Sequence, residues 1–245
     1  MTLNPLMSVQ NSPHQNHLLA ALPPADYERL LPHLELVPLV LGQVLYESGD
    51  QQHYAYFLTT SIVSKVYPLG DTLSQELAIV GSCGVVGYVL FTGGESATHR
   101  AVVLSAGYAY KLRADVLKTE FERGGALHQQ LLLYTQALIV QISQTVACSQ
   151  SHTIDQQLCR WLLLSLDRLP MSELTLTQEQ IANMLGVRHE GVAAVAEHLQ
   201  AVGLTECSHT KITELDRPKL EARVCECYAV VKREYERLLP LMGEH

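Results

Sequence analysis

From Leu36 to Lys111 the chain runs in short stretches rich in Val, Leu, Ile, Tyr and Thr. They are cut at close intervals by Gly42, Gly49-Asp50, Gly70-Asp71, Gly81, Gly84, Gly87 and Gly93-Gly94. Such punctuation suits strands joined by turns. The expected strands are Gln43–Tyr46, Tyr54–Thr59, Ser61–Tyr67, Ser74–Val80 and Ala101–Leu112. Alternation is clearest at Tyr54, Tyr56 and Leu58 and at Val102 and Leu104. Many short strands at this spacing close into a sandwich or barrel.

A helical period replaces this texture at about Ala114 and holds to about Ser151. Within it Leu131, Leu138 and Thr145 fall seven apart, interleaved with Tyr134, Gln141 and Cys148, a 3-4 seam of mixed polarity. Leu127, Leu132, Leu133, Ile139 and Ile142 form a further apolar face. Two covered surfaces are therefore expected, one of them a dimer seam through Leu131, Tyr134, Leu138, Gln141 and Thr145. The alternative is a helix packed only on its own barrel. From Asp155 to Leu169 the residues Leu158, Trp161, Leu162, Leu166 and Leu169 keep to one side of an amphipathic helix that stops at Pro170, and Trp161 reads as a core anchor. The polar start, Met1–Asn16, reads as a mobile arm, with order beginning near His17 and a short helix entered through Pro23-Pro24.

The segment Leu174–Gly203 reads LTLTQEQIANMLGVRHEGVAAVAEHLQAVG. Thr177 and Gln180 form a capping box for a first helix that buries Ile181, Met184 and Leu185. Gly186 supplies the left-handed turn residue. A second helix then runs from about Arg188 to Ala201 with Val192, Val195, Leu199 and Val202 inward. In a docked helix-turn-helix the leading end of the second helix meets base edges. Arg188, His189 and Glu190 are the expected reading head. Arginine suits guanine or a phosphate, glutamate accepts from cytosine, and Ala194 sits where a thymine methyl would be touched. Thr177 and Gln178 are placed to hold a phosphate at the first helix's N-terminus. Leu204–Glu206 and Lys211–Glu214 read as a hairpin wing about Ser208-His209-Thr210, with His209 and Lys211 reaching the phosphate backbone. Asp216, Pro218 and Leu220 begin one closing helix through Tyr228, Val231 and Leu238.

Charge argues the other way. The net charge is −8, with 7 Lys/Arg against 11 Asp/Glu over residues 1–150 and 10 against 14 over residues 151–245. DNA contact must then come from a few placed cations and helix N-termini rather than a broad positive field. A protein-interaction or nucleotide-binding module with weakened DNA recognition is the competing class. An enzyme is not expected, because no nucleophile–base pair, metal cluster or phosphate loop has adequate spacing. Hydrophobic residues make up 47% and no uninterrupted apolar run approaches a membrane span. Met1–His17 has neither a basic start nor an apolar core, so a cytoplasmic, membrane-free protein is expected. There the scattered Cys83, Cys148, Cys159, Cys207, Cys225 and Cys227 would stay reduced. Cys148 and His152 share a helix face, but two ligands are not a site. Cys225 and Cys227, two apart on a helix, would point to nearly opposite sides as packed thiols. No metal site is expected.

These motifs together resemble the Crp/Fnr family of bacterial transcription regulators. The likeness runs from LLAALPPADYERLLPHLE and GQVLYESGD, through AVVLSAGYAYKL and the long helix, to TQEQIANMLGVRHEGV, over residues 17–222. DQQLCRWLLLSLDRLP and RPKLEARVCECYAVVKREYERLLP point to a subgroup of it. The resemblance implies an α+β chain. Residues 1–16 would be the arm and 17–123 a cyclic-nucleotide-binding-like sensor, a jelly-roll-like double-stranded β-helix. Residues 124–152 would be the dimerisation helix, 153–222 the winged helix-turn-helix, and 223–245 the closing helix and tail. It also implies a homodimer on palindromic double-stranded DNA, with RNA polymerase as a further candidate partner. The reading head departs from the family, with His189 where an arginine is common and Ala194 at a second arginine position. The sensor departs too. The family's Gly-Glu pair reads Gly87-Tyr88 here, and its Arg-Ser/Thr pair reads Ala97-Thr98, with Arg100 three residues late. An odd shift along a strand reverses the facing. No cofactor is therefore expected. A cyclic nucleotide held by Tyr88, Gly93, Gly94, Thr98 and Arg100 is the alternative.

Overall fold

The computed structural model describes residues 12–69, 73–94, 96–169, 205–208 and 211–239. Two short helices, α1 (His17–Ala20) and α2 (Pro24–Leu30), precede the sheets. Eight strands follow: β1 (Glu35–Leu39), β2 (Val44–Tyr46), β3 (Tyr54–Leu58), β4 (Ile62–Leu69), β5 (Leu73–Val80), β6 (Val85–Val86), β7 (Arg100–Ser105) and β8 (Gly107–Arg113), with a single helical turn, α3 (Val89–Thr92), after β6. They form two four-stranded antiparallel sheets in the orders β1-β8-β3-β6 and β2-β7-β4-β5. Pairing the first strand with the last is what the expected double-stranded roll requires.

The run AVVLSAGYAYKL is two strands rather than one. β7 and β8 lie in different sheets, and the chain turns the corner at Ala106-Gly107. A Cβ on Gly107 would stand 2.6 Å from the Thr60 backbone, so only glycine admits that approach. β1 was not foreseen, because Pro38 breaks the strand pattern. It is tolerated on a strand at the sheet's edge. Asn16, expected at the end of the arm, belongs to the packed fold. Asn16 is fully buried, caps α1 through the Leu18 and Leu19 amides, and donates to Leu58 O and Gly84 O at 2.9 and 2.8 Å.

The expected continuous helix from Ala114 divides into α4 (Ala114–Glu122) and α5 (Ala126–Ser151) at Gly124, whose φ of +76° suits glycine. α5 is long and apolar enough by composition to cross a bilayer, but one side of it packs on the roll. α6 (Ile154–Leu166) opens with a full capping box, Thr153 with Gln156. β9 (Thr205–Ser208) and β10 (Lys211–Leu215) pair antiparallel, Lys211 opposite Ser208 and Ile212 opposite Cys207, where the wing was expected. The closing helix is two helices, α7 (Arg217–Glu221) and α8 (Glu226–Leu238). α7 is capped by the Asp216 side chain, and an extended Cys225 (φ −75°, ψ 164°) resets the direction before α8.

The roll core gathers Leu18, Leu30, Phe57, Val63, Val85, Val103 and Leu112 with Leu127, Leu131, Tyr134 and Leu138 of α5. A second core joins Ile62, Ile79 and Leu104 from the outer face of one sheet to Leu158, Trp161 and Leu162 of α6 and to Leu220, Tyr228 and Val231. Trp161, at 2% exposure, is the anchor the sequence implies.

Candidate nucleic-acid interface and sensor

Thr177, Gln178, Arg188, His189, Glu190, Ala194 and His209 lie outside the described residues. Lys211 opens β10. The helices that flank them in sequence are described, and they are tied to one another. Arg217 pairs with Asp167 at the end of α6 and donates to the Tyr228 hydroxyl at 2.9 Å, and that hydroxyl donates to Asp167 Oδ2 at 3.0 Å. One ionic cluster thus fastens α6, α7 and α8 together.

Strand alternation explains how this unit meets the roll. Val63 and Lys65 of β4 face the roll interior, while Ile62 and Ser64 face α6. On the outer side Glu76 of β5 accepts hydrogen bonds from Ser64 Oγ at 2.6 Å and Trp161 Nε1 at 2.7 Å. Burial pushes its carboxyl up to about 7 against the pull of those two donors. Nearby, Gln141 of α5 is a hub. Its amide donates to Ile79 O, and its oxygen accepts from Arg168 at 2.8 Å and from the Tyr235 hydroxyl at 2.9 Å.

That placement buries the expected dimer-seam residues within a single chain. Leu131, Tyr134, Leu138 and Gln141 are each at most 2% exposed within a single chain, packed against the roll and the helices beside it, and Thr145 is half-buried, accepting from Arg160. The outward face of α5 runs Gln129, Leu132, Gln136, Ile139, Ser143, Val146 and Gln150 at alternating spacings of three and four. Leu132, Ile139 and Val146 are 48%, 52% and 51% exposed. The expected seam residues face inward, and a second stripe of the same period faces outward. Both stripes repeat every seven residues, and the one read as a seam from its spacing is the one packed inside the chain.

Of the expected effector residues, Tyr88 alone faces the polar interior. Its ring stacks on His99 with centroids 5.7 Å apart, and the Lys65 ammonium lies 4.2 Å from its centroid. His99 shares a 2.7 Å hydrogen bond with the Tyr46 hydroxyl. Lys65 Nζ is fully buried and has no hydrogen-bond partner among the described residues. Desolvation pulls its pKa down to about 7, and burial together with the Lys65 charge pulls His99 down to about 4. Thr98 and Gly93 are exposed and Gly94 is half-buried. Ala97 is the buried residue where the family has its arginine, and Arg100 points outward to Glu47 at 3.2 Å. The facing argument thus accounts for Arg100. Lys65 was missed, although its place two residues after Val63 on a half-buried strand marks it as inward.

Cys225 and Cys227 do not point apart. Cys225 precedes α8 in extended conformation, and both thiols meet Cys148 and His152 at the C-terminal end of α5. Burial pushes the Cys148 thiol up to about 12.

Residues 156–223 match the family described as a Crp-like helix-turn-helix domain. None of the curated proteins matches the chain. Among solved structures, FixK2 from Bradyrhizobium japonicum superposes with a TM-score of 0.67 at 17% identity, covering 78% of this chain and 98% of that one. CLP from Xanthomonas campestris, a c-di-GMP responsive global regulator, gives 0.62 at 17% identity, covering 77% and 98%. A transcriptional regulator of the Crp/Fnr family from Eubacterium rectale gives 0.63 at 16% identity, covering 84% and 96%.

Proposed function

We infer, from a chain that has the fold of the Crp/Fnr transcription regulators and carries their helix-turn-helix DNA-binding domain, that it is a homodimeric regulator that binds palindromic duplex DNA in the cytoplasm and contacts RNA polymerase there. The observation that carries this reading is the Crp-like match over residues 156–223, whose first helix and the closing helices pack on the roll. Arg188, His189 and Glu190 read bases, Ala194 meets a thymine methyl, and Thr177, Gln178, His209 and Lys211 hold phosphates.

The exposed Leu132, Ile139 and Val146 stripe is the dimer seam, with Gln136 and Ser143 at the alternate positions. Two copies joined there present two reading heads, which is why the site is palindromic. A glutamate at Ile139 (Ile139→Glu) is expected to shift the chain to monomer in sedimentation velocity. Leu138→Glu instead should unfold the roll.

The acidic balance favours a second reading, a protein-interaction module with weakened DNA recognition. A salt titration of binding to mixed genomic duplexes separates the two. Counterion release makes a DNA binder lose affinity steeply as salt rises. A chain that ignores DNA at low ionic strength is the module.

A further inference from the structure

We propose that Cys148, His152, Cys225 and Cys227 form a closed four-ligand site for a divalent metal ion of the zinc class, clamping the end of α5 to the start of α8. The four ligand atoms lie within 4.8 Å of one another. A tetrahedral zinc ion bound at about 2.3 Å by sulfur and about 2.0 Å by nitrogen holds neighbouring ligand atoms roughly 3.5–3.8 Å apart. Cys148 Sγ is 3.6 Å from Cys225 Sγ, and Cys227 Sγ is 3.7 Å from His152 Nδ1.

The chain is shaped to bring these atoms together. Cys148 sits in the last turn of α5, and His152 is that helix's C-cap, four residues on. Cys225 is the N-cap of α8 and Cys227 lies in its first turn, so the extended backbone at Cys225 lets both sulfurs face one point. The three sulfurs are buried and form a small core of their own.

His152 is oriented as a metal-bound imidazole usually is. Its Nε2 lies 3.3 Å from Glu226 Oε1, which leaves Nδ1 toward the sulfurs, and its carbonyl accepts from Gln157 Nε2 at 2.9 Å. Charge supports the same assignment. Three thiolates and one neutral imidazole around a divalent ion leave one net negative charge. Arg160, buried beside Cys148, has no hydrogen-bond partner for its Nε among the described residues and supplies the matching positive charge. Ligation exchanges the three thiol protons, released to solvent, for three sulfur–metal bonds, with no change of oxidation state. Four protein ligands leave no open position, so the site is structural rather than catalytic. His152 immediately precedes the Thr153 cap of α6. The clamp therefore fixes the joint from which α6 departs, and it stands whether or not the chain binds DNA.

The test uses the full chain, reduced, stripped with a chelator and titrated with cobalt(II). About one equivalent per chain should bind, with the visible bands of tetrahedral cobalt and a thiolate-to-cobalt charge-transfer band. Zinc should displace it and raise the thermal midpoint by roughly 5–10 °C. Cys227→His should keep the tetrahedral bands with weaker charge transfer, Cys225→Ser should lose binding at least about tenfold, and Cys83→Ser should change nothing. If Cys225→Ser does not fold, the parent spectrum and Cys227→His decide. A weak octahedral cobalt spectrum, an unmoved midpoint, or a Cys148–Cys225 disulfide without metal uptake would overturn the proposal.

Discussion

The two faces of β4 bury polar groups in opposite ways. Outward, Ser64 and Trp161 both donate to Glu76, and the carboxyl is satisfied within a buried joint between roll and α6. Inward, Lys65 carries an ammonium that lies over the face of the Tyr88 ring with no hydrogen-bond partner among the described residues, beside a His99 whose pKa is pulled down. A satisfied buried polar group specifies one packing, whereas an unsatisfied one costs free energy until something meets it. The outer face is architecture. The inner face leaves a buried cation without a hydrogen-bond partner among the described residues.

The largest effect should come from the joint. Trp161→Ala removes a buried indole and strands Glu76, and is expected to cost about 3–5 kcal/mol in denaturant unfolding. Trp161→Phe keeps the ring and loses the donor, at about 1–3 kcal/mol. Equal losses for the two would break the contrast, since the hydrogen bond would then be the whole joint.

The titrations of the two faces should oppose each other. The Glu76 carboxyl is raised from its ordinary 4.5 to about 7, so between those values the folded chain holds the extra proton and stability falls as pH rises. Lys65 is lowered from its ordinary 10.5 to about 7, so above 7 the unfolded chain holds the extra proton and stability rises with pH until about 10. Each slope is at most about 1.4 kcal/mol per pH unit, giving a minimum near neutrality. Lys65→Met should flatten the alkaline limb and stabilise the protein at pH 6, and Glu76→Gln should flatten the acidic limb. An unchanged alkaline limb in Lys65→Met would show that the ammonium is hydrated. The smallest effect is expected at the start of α6, where Thr153→Ala removes the helix cap for about 1 kcal/mol.

Local chemistry was legible in the sequence. Glycine punctuation marked the strands, the segment 174–203 pointed to the helix-turn-helix that the family match over residues 156–223 supports, and an apolar stripe marked Trp161 as an anchor. Quantities set by distant partners were not. The phase of α5 depends on which of two seven-residue stripes the roll covers, and Leu131 and Leu132 are adjacent and equally apolar. The division of the closing helix at Cys225 has no proline or glycine to announce it, so the two thiols were placed on opposite sides. Lys65 could be assigned inward from Val63, but its lack of a partner depends on residues more than twenty positions away, Tyr88 and His99.

Selection of bound sequences from random duplexes by the purified chain, without added ligand, bears most directly on the regulator reading. An enriched inverted repeat with half-sites about one helical turn apart is expected, as two heads on one seam require. A pool that remains random, or a single unrepeated half-site bound by a dimer, would contradict it.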